Sequence, residues 1–469
     1  MNPLKYGDIW NAVITFPLIK RMLKLSFKRC DGCGKQVLDT ALDQYVGSNT
    51  KKCKKCSVPS QVIIFWIEFL RKSLAVERGK AEKIFADPYA RRGIKSIIKT
   101  FVYYGVKKPL TVYAPFLVVW DYTYRCNLNC KHCYSNAGAS QREELKTEDA
   151  LNVVDQLADF GVVSLAFSGG EPLMREDFFE VAKYAVDRGL YVSLATNGTL
   201  LNKRTVRRLK HIGIHYVEIS IDGSNANSHD EFRGVQGAFE LAMTGLKNCV
   251  KEDLCASVAV TATKRNFQDI PKILELSEKV GAKRFALFNF VPAGRGAEMV
   301  SQDLSPEERE EIMLFLLDKL LSGFKVTILT TIPQLARVAV SHQQSNSDEV
   351  FLPMAHMQTS KISKKAVALA DFIGGCGAGR LYCSISPEGD VHPCVFLPLK
   401  IGNLKTEKIE DLWLNSETFK VLRNRENLKG SCGKCSFKYI CGGCRARAYA
   451  YCHDILASDP GCMLVKKGA

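Results

Sequence analysis

The sequence predicts an α/β fold in which a parallel sheet, open or curled as a partial (β/α)6 barrel, lies between two cysteine-rich modules. Six short apolar segments alternate with helical segments between residues 111 and 325, which is typical of βα repeats. Eighteen cysteines occur in 469 residues, and most stand in closely spaced groups before, within and after that region. In a chain without secretory features, such groups favour metal binding over disulfides.

Changes in composition divide the chain into four regions. We expect a helical module with a four-cysteine metal site at 1–110, the βα repeats at 111–325, a linker or substrate-facing segment at 326–372, and a second cysteine-rich domain at 373–469. The opening residues lack the basic-then-apolar pattern of a secretory signal, and no apolar run approaches the ~20 residues that span a bilayer. We therefore expect a cytoplasmic protein.

The N-terminal module carries two C-x2-C pairs, Cys30 with Cys33 and Cys53 with Cys56, and 19 residues separate the pairs. Two such pairs are typical of one tetrahedral site of four thiolates. A mononuclear zinc and a rubredoxin-like iron both suit this geometry, and the sequence does not choose between them. The apolar segment 62–70 follows the second pair and is predicted to be helical.

The same module carries most of the net charge. The whole chain has a charge of +16, and residues 1–110 hold 22 Lys and Arg against 8 Asp and Glu. Apolar side chains around Trp10 stand next to basic ones, as in an interfacial helix, although Pro17 interrupts a continuous helix. This pattern suits an anionic lipid surface and a buried helix with a solvated basic face equally well. No RNA-binding signature accompanies it, so nucleic acid is not expected.

The βα region is predicted to contain six strands, at 116–120, 162–167, 190–195, 216–221, 256–261 and 284–289. Helical stretches such as Thr147–Phe160 and Phe178–Arg188 separate them. In a barrel or an open parallel sheet, ligands bind at the carboxyl ends of the strands. The polar motifs of this region stand at those ends.

The first strand leads into Cys126-x3-Cys130-x2-Cys133. Three thiolates can hold three corners of a cubic iron–sulfur cluster, which leaves one iron open to a ligand that is not protein. A zinc knuckle is the alternative use of this spacing. The turn Gly169-Gly170-Glu171-Pro172 ends the second strand, and small polar residues end the next two strands.

These motifs and their order resemble those of the radical S-adenosylmethionine (SAM) enzymes. The resemblance implies that the three cysteines bind a catalytic 4Fe–4S cluster whose open iron chelates SAM, and that one electron cleaves SAM to a 5′-deoxyadenosyl radical. It also implies a set of SAM contacts. Those are His132, Gly169, Gly170, Glu171, Pro172, Thr196, Asn197, Ser220, Asp222 and Val291. Asp222 equally suits the start of the Asp-Gly turn that follows it.

The C-terminal region contains eight further cysteines around a hairpin turn predicted at Pro387–Asp390. Their spacing resembles the SPASM domain of radical SAM enzymes, which implies two auxiliary 4Fe–4S clusters that transfer electrons. One cluster would take Cys376, Cys383, Cys394 and Cys444, and the other Cys432, Cys435, Cys441 and Cys462. A pair of zinc sites is the alternative. The spacing Cys441-Gly-Gly-Cys444 is one residue shorter than in sulfatase-maturating enzymes and similar peptide-maturing relatives.

The expected fold is therefore a partial (β/α)6 radical SAM barrel with an N-terminal four-cysteine module and a C-terminal SPASM domain. The expected cofactors are three 4Fe–4S clusters, SAM and one mononuclear zinc or iron, and the expected partner is an electron donor such as ferredoxin or flavodoxin. Fold and motifs do not specify the substrate.

Three functions compete. The order of the modules resembles that of the archaeal tetraether lipid synthases, which implies carbon–carbon joining of isoprenoid lipid chains by an enzyme that is peripheral on the membrane. The C-terminal motif also resembles SPASM enzymes of haem formation and of peptide-derived cofactors, so a tetrapyrrole or peptide substrate is the alternative. A non-catalytic iron–sulfur or nucleic-acid binder is the third possibility, and the SAM-site motifs argue against it.

Overall fold

The computed structural model describes residues 17–48, 53–73, 76–138, 143–342, 349–352, 360–363 and 370–465. The apolar residues around Trp10, on which the prediction of a lipid surface partly rests, lie outside the described residues. In its described part the N-terminal module is helical, as predicted. Its helices are α1 (Pro17–Ser26), α2 (Val37–Tyr45), α3 (Lys54–Ser73), α4 (Arg78–Ala86) and α5 (Pro88–Tyr104).

Strands and helices then alternate through the central region. The elements are β1 (Leu117–Thr123), α6 (Thr147–Phe160), β2 (Ser164–Gly169), α7 (Phe178–Asp187), β3 (Tyr191–Thr196), α8 (Lys203–His211), β4 (Tyr216–Ser220), α9 (Ala226–Arg233), α10 (Ala238–Lys251), β5 (Ala256–Ala262), α11 (Ile270–Val280), β6 (Arg284–Asn289), α12 (Pro306–Leu321), β7 (Thr327–Thr330) and α13 (Leu335–His342). All six predicted strands are present, and α6 has the predicted bounds because Gly161 ends it with a left-handed φ of 103°.

The C-terminal region is made of short elements. They are β8 (Glu349–Leu352), β9 (Ser360–Ser363), α14 (Ala370–Ile373), β10 (Tyr382–Ile385), β11 (Asp390–His392), β12 (Gly402–Asn403), α15 (Ile409–Asn415), α16 (Glu417–Arg423), α17 (Gly430–Lys434) and α18 (Arg445–Cys452). Strands β10 and β11 are antiparallel and flank the predicted turn, so the hairpin is confirmed.

Ten strands form one sheet in the order β12-β11-β10-β1-β2-β3-β4-β5-β6-β7. Strands β1 to β7 are parallel, and β10 joins them by pairing in parallel with β1, where Leu117 stands opposite Tyr382. The parallel series thus continues past residue 325 into β7, and the C-terminal region extends the same sheet. Because parallel strands are covered on both faces, they are apolar along most of their length.

The main hydrophobic core lies between this sheet and its helices. Trp120, on β1, stacks on Phe167 of β2 with ring centroids 5.7 Å apart. The C-terminal region contributes Trp413 of α15, which is fully buried and donates its Nε1–H to the carbonyl of Val112 at 3.0 Å. One side chain therefore joins the C-terminal region to the segment that precedes β1.

Substitution Trp413→Ala removes a large buried ring and leaves the Val112 carbonyl without this donor. We expect the free energy of unfolding to fall by about 3–5 kcal/mol, in the range of other buried aromatic truncations. Anaerobic urea denaturation measures it. Leu241→Ala is the control, because Leu241 is 53% exposed and its loss should change the free energy by about 0.5 kcal/mol or less. Equal effects would contradict this role of Trp413.

Candidate active site and metal centres

The loop with Cys126, Cys130 and Cys133 follows β1 at the carboxyl edge of the sheet. The three thiols pack around the buried side chains of Leu128 and Ala238. Backbone N–H groups point at two of the sulfurs, from Leu128 to Cys126 Sγ and from Ala137 to Cys133 Sγ, both at 3.4 Å. Burial raises the pKa of Cys126 to about 11, so a bound cation is needed to hold it as a thiolate. Three converging thiols with N–H donors in an apolar shell fit an iron–sulfur cluster.

The end of helix α9 supports this loop. The Asn129 N–H donates to the Arg233 carbonyl at 3.2 Å. The buried Arg233 guanidinium lies 3.6 Å from Cys130 Sγ and 2.5 Å from the carboxylate of Asp222. Although burial opposes ionisation, Arg233 and its neighbours hold the pKa of Asp222 below its ordinary value. Asp222 is thus the counter-ion of Arg233. Sequence reasoning missed Arg233, since the residue is distant in the chain from every motif.

His132 is a neutral, stacked ring. Its imidazole lies parallel to the Phe232 ring, with centroids 4.1 Å apart and an angle of 5°. Burial lowers its pKa to about 4, and its Nε2 lies 3.6 Å from Asp222 Oδ2. The contacts of His132 and Asp222 with SAM stay predictions.

The Gly-Gly-Glu-Pro turn is pressed against the cysteine loop. The N–H groups of Gly170 and Glu171 donate to the carbonyls of Thr123 at 2.7 Å and Arg125 at 2.8 Å. A Cβ on Gly170 would lie 2.2 Å from the Arg125 carbonyl oxygen, so this position requires glycine. The adjacent Gly169 has a φ of 106°.

The carboxylate of Glu171 ties β2 to β3. It accepts hydrogen bonds from Thr196 Oγ1 at 2.8 Å and from the Asn197 N–H at 2.8 Å. Burial raises the pKa of Glu171 to about 7. The Asn197 side chain in turn donates to Asn127 in the cysteine loop at 2.8 Å. The structure therefore brings these predicted SAM-site residues together, and it turns the Glu171 side chain towards β3.

The segment after β6 also contacts the cysteine loop. The Arg295 N–H donates to the Cys133 carbonyl at 2.9 Å, and its Nε donates to the Cys130 carbonyl at 3.0 Å. Val291 is buried in this segment, and Ser220 is half-buried at the end of β4. Arg295 was not singled out from the sequence, although it stands close to Val291 in the chain.

A cavity lies between the end of β6 and the hairpin of β10 and β11. Three of the four cysteines expected at the first auxiliary site line it: Cys376, Cys394 and Cys444. Tyr382 lines it too and donates its hydroxyl to Cys394 Sγ at 2.8 Å. The fourth expected ligand, Cys383, lies in the main core instead. Side chains alternate between the faces of a strand, so Tyr382 and Cys383 on β10 point in opposite directions.

A second cavity is surrounded by all four cysteines expected at the other auxiliary site. Cys432, Cys435, Cys441 and Cys462 line it together with Arg337. Four thiols around a cavity of this kind fit a fully ligated cluster. The structure therefore brings together the four cysteines of the second expected ligand set and three of the four of the first, and both ligand sets stay predictions.

The N-terminal cysteines form a tighter site. The sulfurs of Cys30, Cys33, Cys53 and Cys56 all lie within 4.8 Å of one another. In the described residues no other group of three or more Cys, His, Asp or Glu is close enough to hold a single ion. This compact set fits one tetrahedral ion, zinc or iron, whereas the other cysteine groups are spread widely enough to surround a larger cluster.

Comparison with known proteins agrees with this geometry. Residues 120–277 match the family model "Radical SAM superfamily", and residues 376–436 match SPASM, an iron–sulfur cluster-binding domain. The chain belongs to the radical SAM superfamily. Membership implies a 4Fe–4S cluster and SAM, and the SPASM domain indicates additional clusters.

Two relatives and one solved structure show the range of this superfamily. The chain is 39% identical over 351 residues to an AdoMet-dependent heme synthase from Methanosarcina barkeri, covering 75% of this chain and 97% of that protein. It is 31% identical over 356 residues to the mycofactocin maturase MftC from Mycobacterium ulcerans, covering 75% and 88%. SuiB from Streptococcus suis bound to SAM has a similar fold, with a TM-score of 0.62, 17% identity and 92% of each chain covered.

In this radical SAM enzyme the position of Cys383 can be tested against that of Cys394. We expect Cys394→Ala to lose about four iron atoms per chain from the reconstituted protein, because a 4Fe–4S cluster depends on its thiolates. Cys383→Ala should retain them, because Cys383 points into the core. Iron and sulfide analysis, with Mössbauer spectra, measures the difference. An equal loss in both variants would show that Cys383 is a ligand after all.

Proposed function

We propose that this radical SAM enzyme removes hydrogen from an unactivated C–H bond of a haem-type tetrapyrrole. The observation that carries the proposal is the 39% identity to a heme synthase along 97% of that protein's length. The likeness to a peptide-cofactor maturase is lower, at 31%. The relatives thus support the tetrapyrrole and peptide alternative over the joining of lipid chains, for which the order of the modules is the only argument.

The site geometry is compatible with a substrate placed between two metal centres. When bound, the cluster and SAM supply a radical that abstracts hydrogen. Val291, expected beside SAM, also lines the cavity of the first auxiliary site. We therefore place the substrate between the predicted SAM-contact residues and that cavity. We propose three 4Fe–4S clusters in all, an N-terminal zinc or iron ion, and ferredoxin or flavodoxin as the electron donor.

A polar group beside this space can contact the substrate. Tyr134 follows Cys133, and its hydroxyl donates to Asp121 at 2.7 Å and lies 3.0 Å from Ser168 Oγ. Its ring packs on Phe396, which lines the first auxiliary cavity, with centroids 5.0 Å apart. Burial raises the pKa of Asp121 to about 7. We propose that Asp121 and Tyr134 position a polar substituent of the substrate and hold a proton there.

Substrate class is tested by anaerobic incubation with SAM and a reductant. A propionate-bearing iron porphyrin, a cysteine- or glycine-rich precursor peptide and an isoprenoid lipid extract are compared in parallel. We expect 5′-deoxyadenosine and a mass change with the porphyrin only, and neither in the triple variant Cys126→Ala, Cys130→Ala, Cys133→Ala. Product formation from the lipid or the peptide, with an unchanged porphyrin, would contradict the proposal.

We further propose that the N-terminal module rests on an anionic lipid surface through helix α3. Apolar side chains recur along one face of α3 at the spacing i, i+4, i+7 and i+11, and they are exposed among the described residues. The exposed fractions are 74% for Val58, 41% for Val62, 65% for Phe65 and 50% for Phe69. Such a stripe on a helix is typical of an interfacial contact.

Charge complementarity favours lipid as the occupant of this stripe. Lys54 and Lys55 stand at one end of α3 and Lys72 at the other, all exposed. The one acidic residue of α3, Glu68, is bound to Arg71 at 2.8 Å. The stripe is therefore apolar with a basic rim. None of the described helices is both long and apolar enough to cross a bilayer.

The double variant Phe65→Ser, Phe69→Ser should weaken co-sedimentation with anionic vesicles by at least about tenfold. A buried Phe contributes about 1.5–3 kcal/mol, and 1.4 kcal/mol is tenfold in affinity. Leu241→Ser with Leu321→Ser is the matched control, since both residues are 53% exposed elsewhere on the protein. Binding that is equal for neutral and anionic vesicles would rule out this surface. So would a change in dimerisation without any change in vesicle binding.

A further inference from the structure

Eight arginines are buried in the described part of the chain, and they fall into two classes. Five form ion pairs with Asp or Glu. These are Arg175 with Asp177, Arg233 with Asp222, Arg309 with Asp303, Arg337 with Glu310, and Arg447 with Asp303 and Asp459. For the other three, Arg380, Arg425 and Arg445, no described carboxylate lies within ion-pair distance. An isolated buried charge is costly, so these three call for a counter-charge of another kind.

Backbone carbonyls satisfy the hydrogen bonds of the three unpaired arginines but do not cancel their charges. Arg380 donates to the carbonyls of Leu110 and Gly374, both at 2.8 Å. Arg445 donates to those of Ile455 at 3.0 Å and Ala457 at 2.8 Å. Each guanidinium is therefore held in place while its positive charge stays uncompensated by protein carboxylates.

All three unpaired arginines stand at the auxiliary cysteine sites. Arg380 lies at the first site, with its Nε 3.4 Å from the Cys376 carbonyl. Arg445 lies at the second site, with its Nη2 3.9 Å from Cys432 Sγ. Burial lowers the pKa of the Arg380 and Arg425 guanidinium groups, and the negative charge of a Cys376 thiolate opposes this effect in both.

Arg425 lies between the two sites. Its Nη2 donates to the Cys376 carbonyl of the first site at 3.0 Å. Its Nη1 donates to the carbonyls of Lys438 at 2.7 Å and Tyr439 at 3.0 Å, in the loop that leads to Cys441 of the second site.

The short Cys441-Gly-Gly-Cys444 spacing makes room for this guanidinium. A Cβ on Gly442, which has a φ of 69°, would come within 2.3 Å of Arg425 Nη1. Gly442 therefore lets the loop pass directly over a buried positive charge.

We propose that Arg380, Arg425 and Arg445 are the counter-charges of the two auxiliary clusters, and that Arg425 raises the reduction potential of both. This inference rests on the proposed presence of a cluster at each auxiliary site. A thiolate-ligated cluster is an anion, and each electron that it takes from the donor adds negative charge. A fixed buried cation stabilises the reduced form more than the oxidised form, and net charge is one determinant of cluster potential. Because Arg425 contacts both sites, it couples their potentials.

The test is an EPR-monitored redox titration of the reconstituted holoenzyme under anaerobic conditions. Arg425→Gln removes the charge and keeps an amide donor, whereas Arg425→Lys keeps the charge. We expect Arg425→Gln to shift the midpoint potentials of both auxiliary clusters to more negative values and Arg425→Lys to leave them near those of the unmodified enzyme. Arg380→Gln should shift the first auxiliary cluster alone. The radical SAM cluster, whose neighbouring Arg233 is paired with Asp222, is the internal reference and should not move.

Unchanged auxiliary potentials in Arg425→Gln with full iron content would overturn the proposal. If Arg425→Gln lost auxiliary iron, retention of iron in Arg425→Lys would support a role of the charge. Loss of iron in both variants would overturn it, because the guanidinium hydrogen bonds would then be the cause. Iron analysis of the unmodified enzyme distinguishes a failure of this inference from a failure of the proposed cluster content. Too little iron for auxiliary clusters would refute the clusters themselves.

Discussion

The parallel pairing of β1 with β10 is the constraint on which the arrangement of metal centres depends. Strand β1 delivers the cysteine loop at its carboxyl end, and its neighbour β10 carries Tyr382 at the first auxiliary cavity. Backbone hydrogen bonds hold these strands in one register, so the distance between the two centres is set by the sheet itself. Trp413 reinforces the pairing from the C-terminal side through its bond to Val112. The SPASM domain is thus a continuation of the barrel sheet.

The buried arginines at the cysteine loop and at the auxiliary sites differ in their partners. At the cysteine loop, the buried Arg233 is balanced by Asp222. Around the auxiliary sites, three buried arginines have no carboxylate partner among the described residues. A cluster that must accept an electron readily benefits from uncompensated positive charge, whereas one that reduces SAM needs a low potential. The difference matches the roles expected for the two kinds of cluster.

The N-terminal module combines a compact four-thiol site with exposed positive charge. Its four-thiol site is compact and suits one ion, and its acidic residues are largely used within the module, as in the pair of Asp43 with Arg91. The positive charge that remains is exposed beside an apolar stripe on α3. This composition is the basis of the proposed contact with an anionic lipid surface.

Residue spacing indicated the reaction class through its resemblance to that of the radical SAM enzymes, because the cysteine pattern and the Gly-Gly-Glu-Pro turn are both local in the chain. It also determined the six central strands, whose apolar runs reflect burial on both faces. Only the tertiary structure decided which face of β10 Cys383 occupies, since a one-residue change in strand phase reverses every side chain. Arg233, Arg380, Arg425 and Arg445 were equally beyond sequence reasoning. The sequence does not show whether an arginine is solvated or buried, and the partners of a buried arginine come from strands and loops far away in the chain. The exposure of the α3 stripe among the described residues was decided in the same way, because the burial of an apolar helix face depends on which elements pack against it.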